Sequence, residues 1–131
     1  MKVVGYVAVG AAFGGVARYL LASFIQQRAG ASFPAGTLVV NLSGAFLLGI
    51  LVKVALQSAA ISPEMRAFLT TGFCGGYTTF STFSYETTVM LQDREYASAT
   101  TYVLLSVLGS LGATLLGFAA ASWLLSMRER V

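Results

Sequence analysis

Residues 72–83 read GFCGGYTTFSTF and lie in the middle of a long, nearly uncharged stretch of the chain. Two adjacent glycines, Gly75 and Gly76, followed by two threonines, are expected to interrupt a helix in such an apolar segment. An interruption frees backbone carbonyls and amides, which protein, ions or water must satisfy because lipid cannot. The stretch therefore predicts a membrane helix that is broken near its middle.

The composition of the whole chain indicates a membrane protein. Of 131 residues, 56% are hydrophobic and 10% are charged, and the mean hydropathy is +0.77. Soluble domains carry about 25% charged residues, so this chain has too few charges to cover a water-facing surface. These values disfavour a soluble globular enzyme and exclude an intrinsically disordered chain.

The ionisable residues are too few and too scattered for several classes of function. With no histidine, one cysteine and five acidic residues, the chain has little material for metal centres, disulfide frameworks or acid–base catalysis. Cys74 is expected to be a small buried packing residue. The net charge of +3 comes from dispersed lysines and arginines, whereas nucleic-acid binding requires a clustered basic face. We therefore expect neither an enzyme nor a nucleic-acid partner.

Four charge-poor stretches are long enough to cross a bilayer, which requires roughly 20 apolar residues per helix. They predict an all-α membrane protein with a single transmembrane domain over residues 1–131. The predicted helices cover about residues 3–25, 35–55, 63–91 and 97–125. The third helix has a well-marked start, because Ser62 is a typical N-cap and is followed by Pro63 and Glu64.

Basic residues near the span ends give only a weak orientation bias, five on one side of the membrane against two on the other. The larger group is Lys2, Lys53, Arg66, Arg128 and Arg130, and the smaller group is Arg28 and Arg94. The bias favours cytoplasmic termini but permits insertion in both orientations.

Polar residues inside the spans are the candidate functional residues, since polar groups at membrane depth usually face a cavity or a partner. Arg18 either extends to the interface or attracts an anion to a vestibule. Asn41 carries an amide whose donors and acceptor all need partners. Ser110 and Thr114 lie four residues apart and share one face of the fourth helix, although each could bond to its own helix backbone.

The residues after the glycines extend the same pattern. Phe80 and Phe83 are three residues apart and share a face, so their rings either contact lipid and core or present their positive edges to an anion. Glu86 lies one turn beyond Phe83 and four residues beyond Thr82. It would line the same path, or it would be an exposed acid at the end of the helix.

Small residues recur at helical spacing in three of the spans, where they allow backbones to approach closely. They are Gly10 and Gly14 in the first, Thr37, Asn41, Ala45 and Gly49 in the second, and Gly109, Ala113 and Gly117 in the fourth. Packing within one subunit and dimerisation explain these stripes equally well.

Three segments together resemble the CrcB or Fluc family of fluoride channels. They read GGVARY at 14–19, PAGTLVVNLSG at 34–44 and GFCGGYTTFSTF at 72–83, and the resemblance covers nearly the whole chain. It implies a multi-pass protein of the plasma membrane that exports cytoplasmic fluoride and relieves fluoride toxicity. It also implies an inverted, antiparallel homodimer with two pores and a structural sodium ion at the dimer centre.

Residue roles follow from the resemblance by position. The implied fluoride pore consists of Phe80, Phe83, Asn41, Thr82, Ser110 and Thr114. Arg18 and Glu86 are the implied vestibule residues, and the backbone carbonyls of Gly75 and Thr78 are the implied sodium ligands. Donors without a fixed positive charge suit fluoride, because a pore must replace its tightly held water without trapping the ion.

Three other classes of membrane protein fit the sequence less well. A small multidrug transporter requires a carboxylate deep in the first span, where this chain has Arg18 and no acid. A structural subunit of a larger complex explains the small residues but not the broken, polar third helix. A membrane enzyme needs a nucleophile or metal cluster that Cys74 and scattered serines do not provide.

Overall fold

The computed structural model describes residues 1–30, 32–57 and 61–128, and every regular element in those ranges is helical. Arg130, one of the charges in the orientation argument, lies outside them. In chain order the elements are α1 (Lys2–Ala29), α2 (Ala35–Gln57), α3 (Pro63–Ala67), a π-helical segment (Phe68–Cys74), α4 (Gly75–Tyr77), α5 (Phe80–Gln92) and α6 (Tyr96–Arg128).

Three of these helices are long and apolar enough to cross a membrane. They are Lys2–Ala29, Ala35–Ala55 and Tyr96–Met127. Large apolar side chains on α1 and α6 face outward, for example Phe13 at 62% exposure and Leu108 at 62%. Exposed apolar faces of this size are stable against lipid and not against water. The all-helical, membrane-spanning character predicted from composition is therefore confirmed.

The stretch between α2 and α6 is divided into shorter pieces. It begins as predicted, with Pro63 in the first turn of α3 and the Ser62 hydroxyl accepting a hydrogen bond from the Met65 amide at 3.2 Å. The interruption lies at Thr78 and Thr79, whose ψ angles of 159° and 115° are those of extended chain. The expectation that Gly75 and Gly76 break the helix is wrong, since both residues are helical.

The glycines serve close packing within the chain instead. A Cβ added at Gly76 would lie 2.6 Å from the Ala11 carbonyl oxygen of α1, and one added at Gly10 would lie 2.9 Å from the Phe73 amide nitrogen. Between α2 and α6, a Cβ added at Gly49 would lie 2.6 Å from the Thr114 carbonyl oxygen. Backbone-to-backbone contact of this kind requires glycine, so these positions pack inside one subunit.

A small core closes the end of the molecule where α5 and α6 meet the start of α2. Met90, Ala99 and Tyr102 are buried there, and Phe33, Leu38 and Phe83 pack against them. The Tyr102 ring meets the Phe33 ring edge-on, at 5.6 Å and 82°. This core fixes the orientation of α5 beyond the interruption.

Candidate functional site

The interruption is held by one side chain of α2. The Asn41 amide donates from Nδ2 to the Thr79 carbonyl oxygen at 3.0 Å and accepts at Oδ1 from the Thr79 amide at 2.8 Å. Both backbone groups of Thr79 are thereby satisfied by a side chain, as buried backbone polar groups must be. The polar residue that the sequence places inside the second span therefore pairs with the break in the third.

A second side chain starts the helix that follows. The Thr79 hydroxyl accepts from the Thr82 amide at 3.2 Å, which is the geometry of an N-cap, and donates to the Thr82 hydroxyl at 3.0 Å. The Thr78 hydroxyl instead bonds back to the Cys74 carbonyl at 2.9 Å. Threonine side chains therefore end one helical piece and begin the next.

These bonds have a consequence for two carbonyl groups. In a continuous helix, Gly75 and Thr78 would accept from the amides four residues later, which belong to Thr79 and Thr82. Both of those amides donate to side chains, to Asn41 and to the Thr79 hydroxyl. The interruption thus releases the carbonyl oxygens of Gly75 and Thr78 from their usual donors. Backbone oxygens freed in this way are suitable ligands for a cation such as sodium, and Gly75 is exposed.

A groove of about 350 Å³ runs between α2, the interruption and α6. Its lining includes Asn41, Phe80, Phe83, Ser110 and Thr114, five of the six residues assigned above to a pore. The two phenylalanine rings lie 5.5 Å apart at an angle of 44°. Phe80 is 77% exposed, so its ring is left largely uncovered by this chain.

The hydroxyl groups of α6 differ in how they are engaged. Thr114 donates to the Ser110 carbonyl oxygen at 3.0 Å and also lies 3.4 Å from the Ala45 carbonyl oxygen of α2, so its hydrogen is used on backbone groups. Ser106, which also lines the groove, is buried, and its hydroxyl has no hydrogen-bond partner among the described residues. The sequence reasoning missed Ser106, although its spacing of four from Ser110 places it on the same helical face.

Glu86 faces a second cavity, of about 470 Å³, which lies on the other side of α5. Its two carboxyl oxygens accept from the Thr37 hydroxyl at 2.8 Å and from the Tyr102 hydroxyl at 2.7 Å. Thr82 lines this second cavity and not the groove, unlike the pore residues with which it was grouped. The Phe83 ring contacts the Tyr102 ring at 5.3 Å, which connects the two sites.

Two of the predicted site residues, Arg18 and Gly75, line neither cavity. Arg18 is half-buried on α1 and is absent from both linings. Cys74, by contrast, is a free thiol that is 1% exposed, in agreement with its predicted packing role.

Known proteins resemble this chain over nearly its full length. The profile of the family described as CrcB-like protein, Camphor Resistance (CrcB), matches residues 5–118. A Geobacter sulfurreducens protein named fluoride-specific ion channel FluC is 52% identical over 115 residues, which are 88% of this chain and 93% of that protein. A protein of the same name from Geotalea daltonii is 45% identical over 124 residues, 95% of this chain and 100% of its own length. One from Geobacter metallireducens is 49% identical over 115 residues, 88% of this chain and 93% of its own length.

Proposed function

Because the chain belongs to the CrcB-like family, we propose that it is a fluoride-selective channel of the cell membrane and exports cytoplasmic fluoride. It is a multi-pass membrane protein and not an enzyme. The observation that carries the proposal is the groove, which places the Asn41 amide, the hydroxyl groups of α6 and two aromatic rings along one path. Hydrogen fluoride that enters from acidic surroundings ionises in the cytoplasm, and the channel returns the anion down its electrochemical gradient.

The chemistry of the groove suits a small, strongly hydrated anion. Such an ion leaves water only where hydrogen-bond donors replace its hydration shell. Asn41 and the α6 hydroxyls of Ser106 and Ser110 supply donors, and the edges of Phe80 and Phe83 add a weak positive potential. None of these groups carries a fixed positive charge, so the ion can leave as well as enter.

The pore requires a second copy of the chain. The pieces from Pro63–Ala67 to Phe80–Gln92, which follow one another along the chain, together form the broken third span and add a fourth membrane crossing to the three long helices. Two copies pack in inverted orientation, and the partner covers the Phe80 ring, which is 77% exposed in one subunit. The dimer then contains two grooves of equivalent composition, and hence two pores. Arg18 and the second cavity with Glu86 and Thr82 serve as approaches to these pores.

A sodium ion at the centre of the dimer completes the assembly. The Gly75 and Thr78 carbonyl oxygens of both copies would hold it, because their usual amide donors are engaged elsewhere. When bound, the ion supplies positive charge that fixes the two interruptions against each other. Asn41 and Thr79 keep those oxygens free by holding the competing amides.

An efflux assay with two anions tests the function. Liposomes that contain the purified protein and are loaded with fluoride are expected to release it once an ionophore for the counter-ion is added, and a fluoride electrode measures the release. Liposomes loaded with chloride are expected to retain their contents. Protein-free liposomes are the control for leakage. Equal release of chloride would contradict selectivity, and retention of both anions would contradict a channel.

A stability measurement tests the sodium site separately from transport. We expect the unfolding temperature of the detergent-purified dimer to be higher in sodium than in N-methylglucamine at equal ionic strength, because a ligand that binds only the folded state stabilises it. An identical unfolding temperature in the two cations would contradict the site and leave the fluoride assay unaffected.

A further inference from the structure

Two side chains of α2 bond to residues at the interruption, one before Thr78 along the chain and one after it. Asn41 bonds to both backbone groups of Thr79, on the side of α5. On the side of α4, the hydroxyls of Ser43 and Tyr77 lie 2.8 Å apart. Because Ser43 Oγ also donates to the Val40 carbonyl oxygen at 3.1 Å, its single hydrogen is used there and Tyr77 donates in the pair.

Gly44 brings α2 into direct contact with Thr78, the residue between Tyr77 and Thr79. A Cβ added at Gly44 would overlap the Thr78 Cγ2 atom and lie 2.9 Å from Cδ1 of Tyr77. Tyr77 is buried, and its ring stacks on the Phe73 ring at 5.8 Å. Residues 77, 78 and 79 are thus each fixed by a different residue within one turn of α2.

We propose that Asn41 and Ser43 are positioning residues that set the backbone conformation of the interruption and thereby the fluoride flux of each pore. The inference rests on the proposed function, since it concerns the same groove. The Asn41 amide has two hydrogens, of which one is used on Thr79. That bond fixes the plane of the amide and so the direction in which the second hydrogen is presented to an anion. Ser43 acts without lining the groove, through Tyr77.

The first test replaces the amide N–H of Thr79 with an ester oxygen by incorporating the α-hydroxy analogue of threonine. The ester removes the hydrogen that Asn41 Oδ1 accepts and leaves the Asn41 side chain with both of its hydrogens. Because it also turns the Thr78 carbonyl, a proposed sodium ligand, into a weaker ester acceptor, the flux is compared at saturating sodium. If Asn41 acts through Thr79, fluoride flux per channel falls by about tenfold, the change expected when the conducting state loses one buried hydrogen bond. If Asn41 acts only as a donor to the anion, the flux does not change.

The matched control is the same ester at Ala97. This exposed residue lies in the first turn of α6, where amides have no acceptor within the helix. The channel with the ester at Ala97 is expected to have the same fluoride flux as the unmodified channel. That result would show that an ester bond does not by itself lower the flux.

The second test needs only ordinary substitutions. Tyr77→Phe and Ser43→Ala remove the same hydrogen bond from its two ends. Each is expected to lower the flux per channel by roughly threefold to tenfold, and the double variant to be no lower than the poorer single variant. Ser122→Ala, which removes an exposed hydroxyl that donates to the Phe118 carbonyl oxygen of its own helix, is the control and keeps the wild-type flux.

The readout separates positioning from stability. The initial rate in liposomes that contain a channel gives flux per channel, and the fraction of liposomes that empty gives the number of folded channels. A positioning role lowers the rate at a constant fraction and an unchanged dimer elution volume. The inference is overturned if the Thr79 ester and Tyr77→Phe keep the wild-type rate or change only the fraction. A wild-type protein that passes no fluoride would overturn the proposed function instead.

Discussion

Gly14 lies where α1 packs against the residues just before the interruption, and enlarging it provides a quantitative test of that packing. A Cβ added at Gly14 would overlap the Phe73 carbonyl oxygen and would lie 2.8 Å from the Tyr77 amide nitrogen. These are backbone atoms, which cannot rotate away as a side chain would. Overpacking of this kind costs about 1–3 kcal/mol, whereas alanine gains roughly 0.8–1 kcal/mol over glycine in a helix.

Two matched substitutions remove the propensity gain from the comparison. At Gly5 and Gly15, also on α1, an added Cβ would meet nothing within 4 Å. Gly14→Ala is therefore expected to have a free energy of unfolding about 1–3 kcal/mol lower than Gly5→Ala or Gly15→Ala. Equilibrium unfolding in detergent micelles, followed by circular dichroism, measures the difference. Equal unfolding free energies, within about 0.5 kcal/mol, would refute the close approach of α1 to this segment.

Four further substitutions test the groove and its surroundings. Phe80→Ala and Phe83→Ala are each expected to reduce fluoride efflux sharply at an unchanged dimer elution volume. Unaltered efflux in both variants would indicate that the rings only contact lipid or pack in the core. Ser106→Ala should lower fluoride efflux while its free energy of unfolding stays equal or rises, because the hydroxyl has no partner in the described part of the chain and so contributes no folded-state bond there; a large loss of stability would contradict the assignment. Tyr102→Phe keeps the buried ring but removes a donor to Glu86, so the free energy of unfolding should fall by about 1 kcal/mol, and an unchanged value would show that this bond contributes nothing.

Features that depend on local sequence were predictable. Hydrophobic length locates α1, α2 and α6, and the Ser62–Pro63 cap is confirmed by the Ser62 to Met65 bond. Helical spacing also places Ser110 and Thr114 on one face, where the structure finds both in the groove. In each case the property belongs to one helix and needs no knowledge of its neighbours.

Features that depend on contacts between elements were not predictable. Gly75 and Gly76 suggest the break, but the contact of Gly76 with Ala11 keeps them helical, and the chain becomes extended where Asn41 competes for the Thr79 amide. The π-helical segment and the Ser43–Tyr77 bond likewise depend on which helices meet.

The reversal potential of the purified channel in a planar bilayer tests selective fluoride conduction most directly. One chamber holds tenfold more fluoride and the other tenfold more chloride, at equal total anion. A fluoride-selective groove gives a current that reverses at the fluoride equilibrium potential, about 59 mV for a tenfold gradient of a monovalent ion. A reversal near zero, or a current carried equally by chloride, would contradict it.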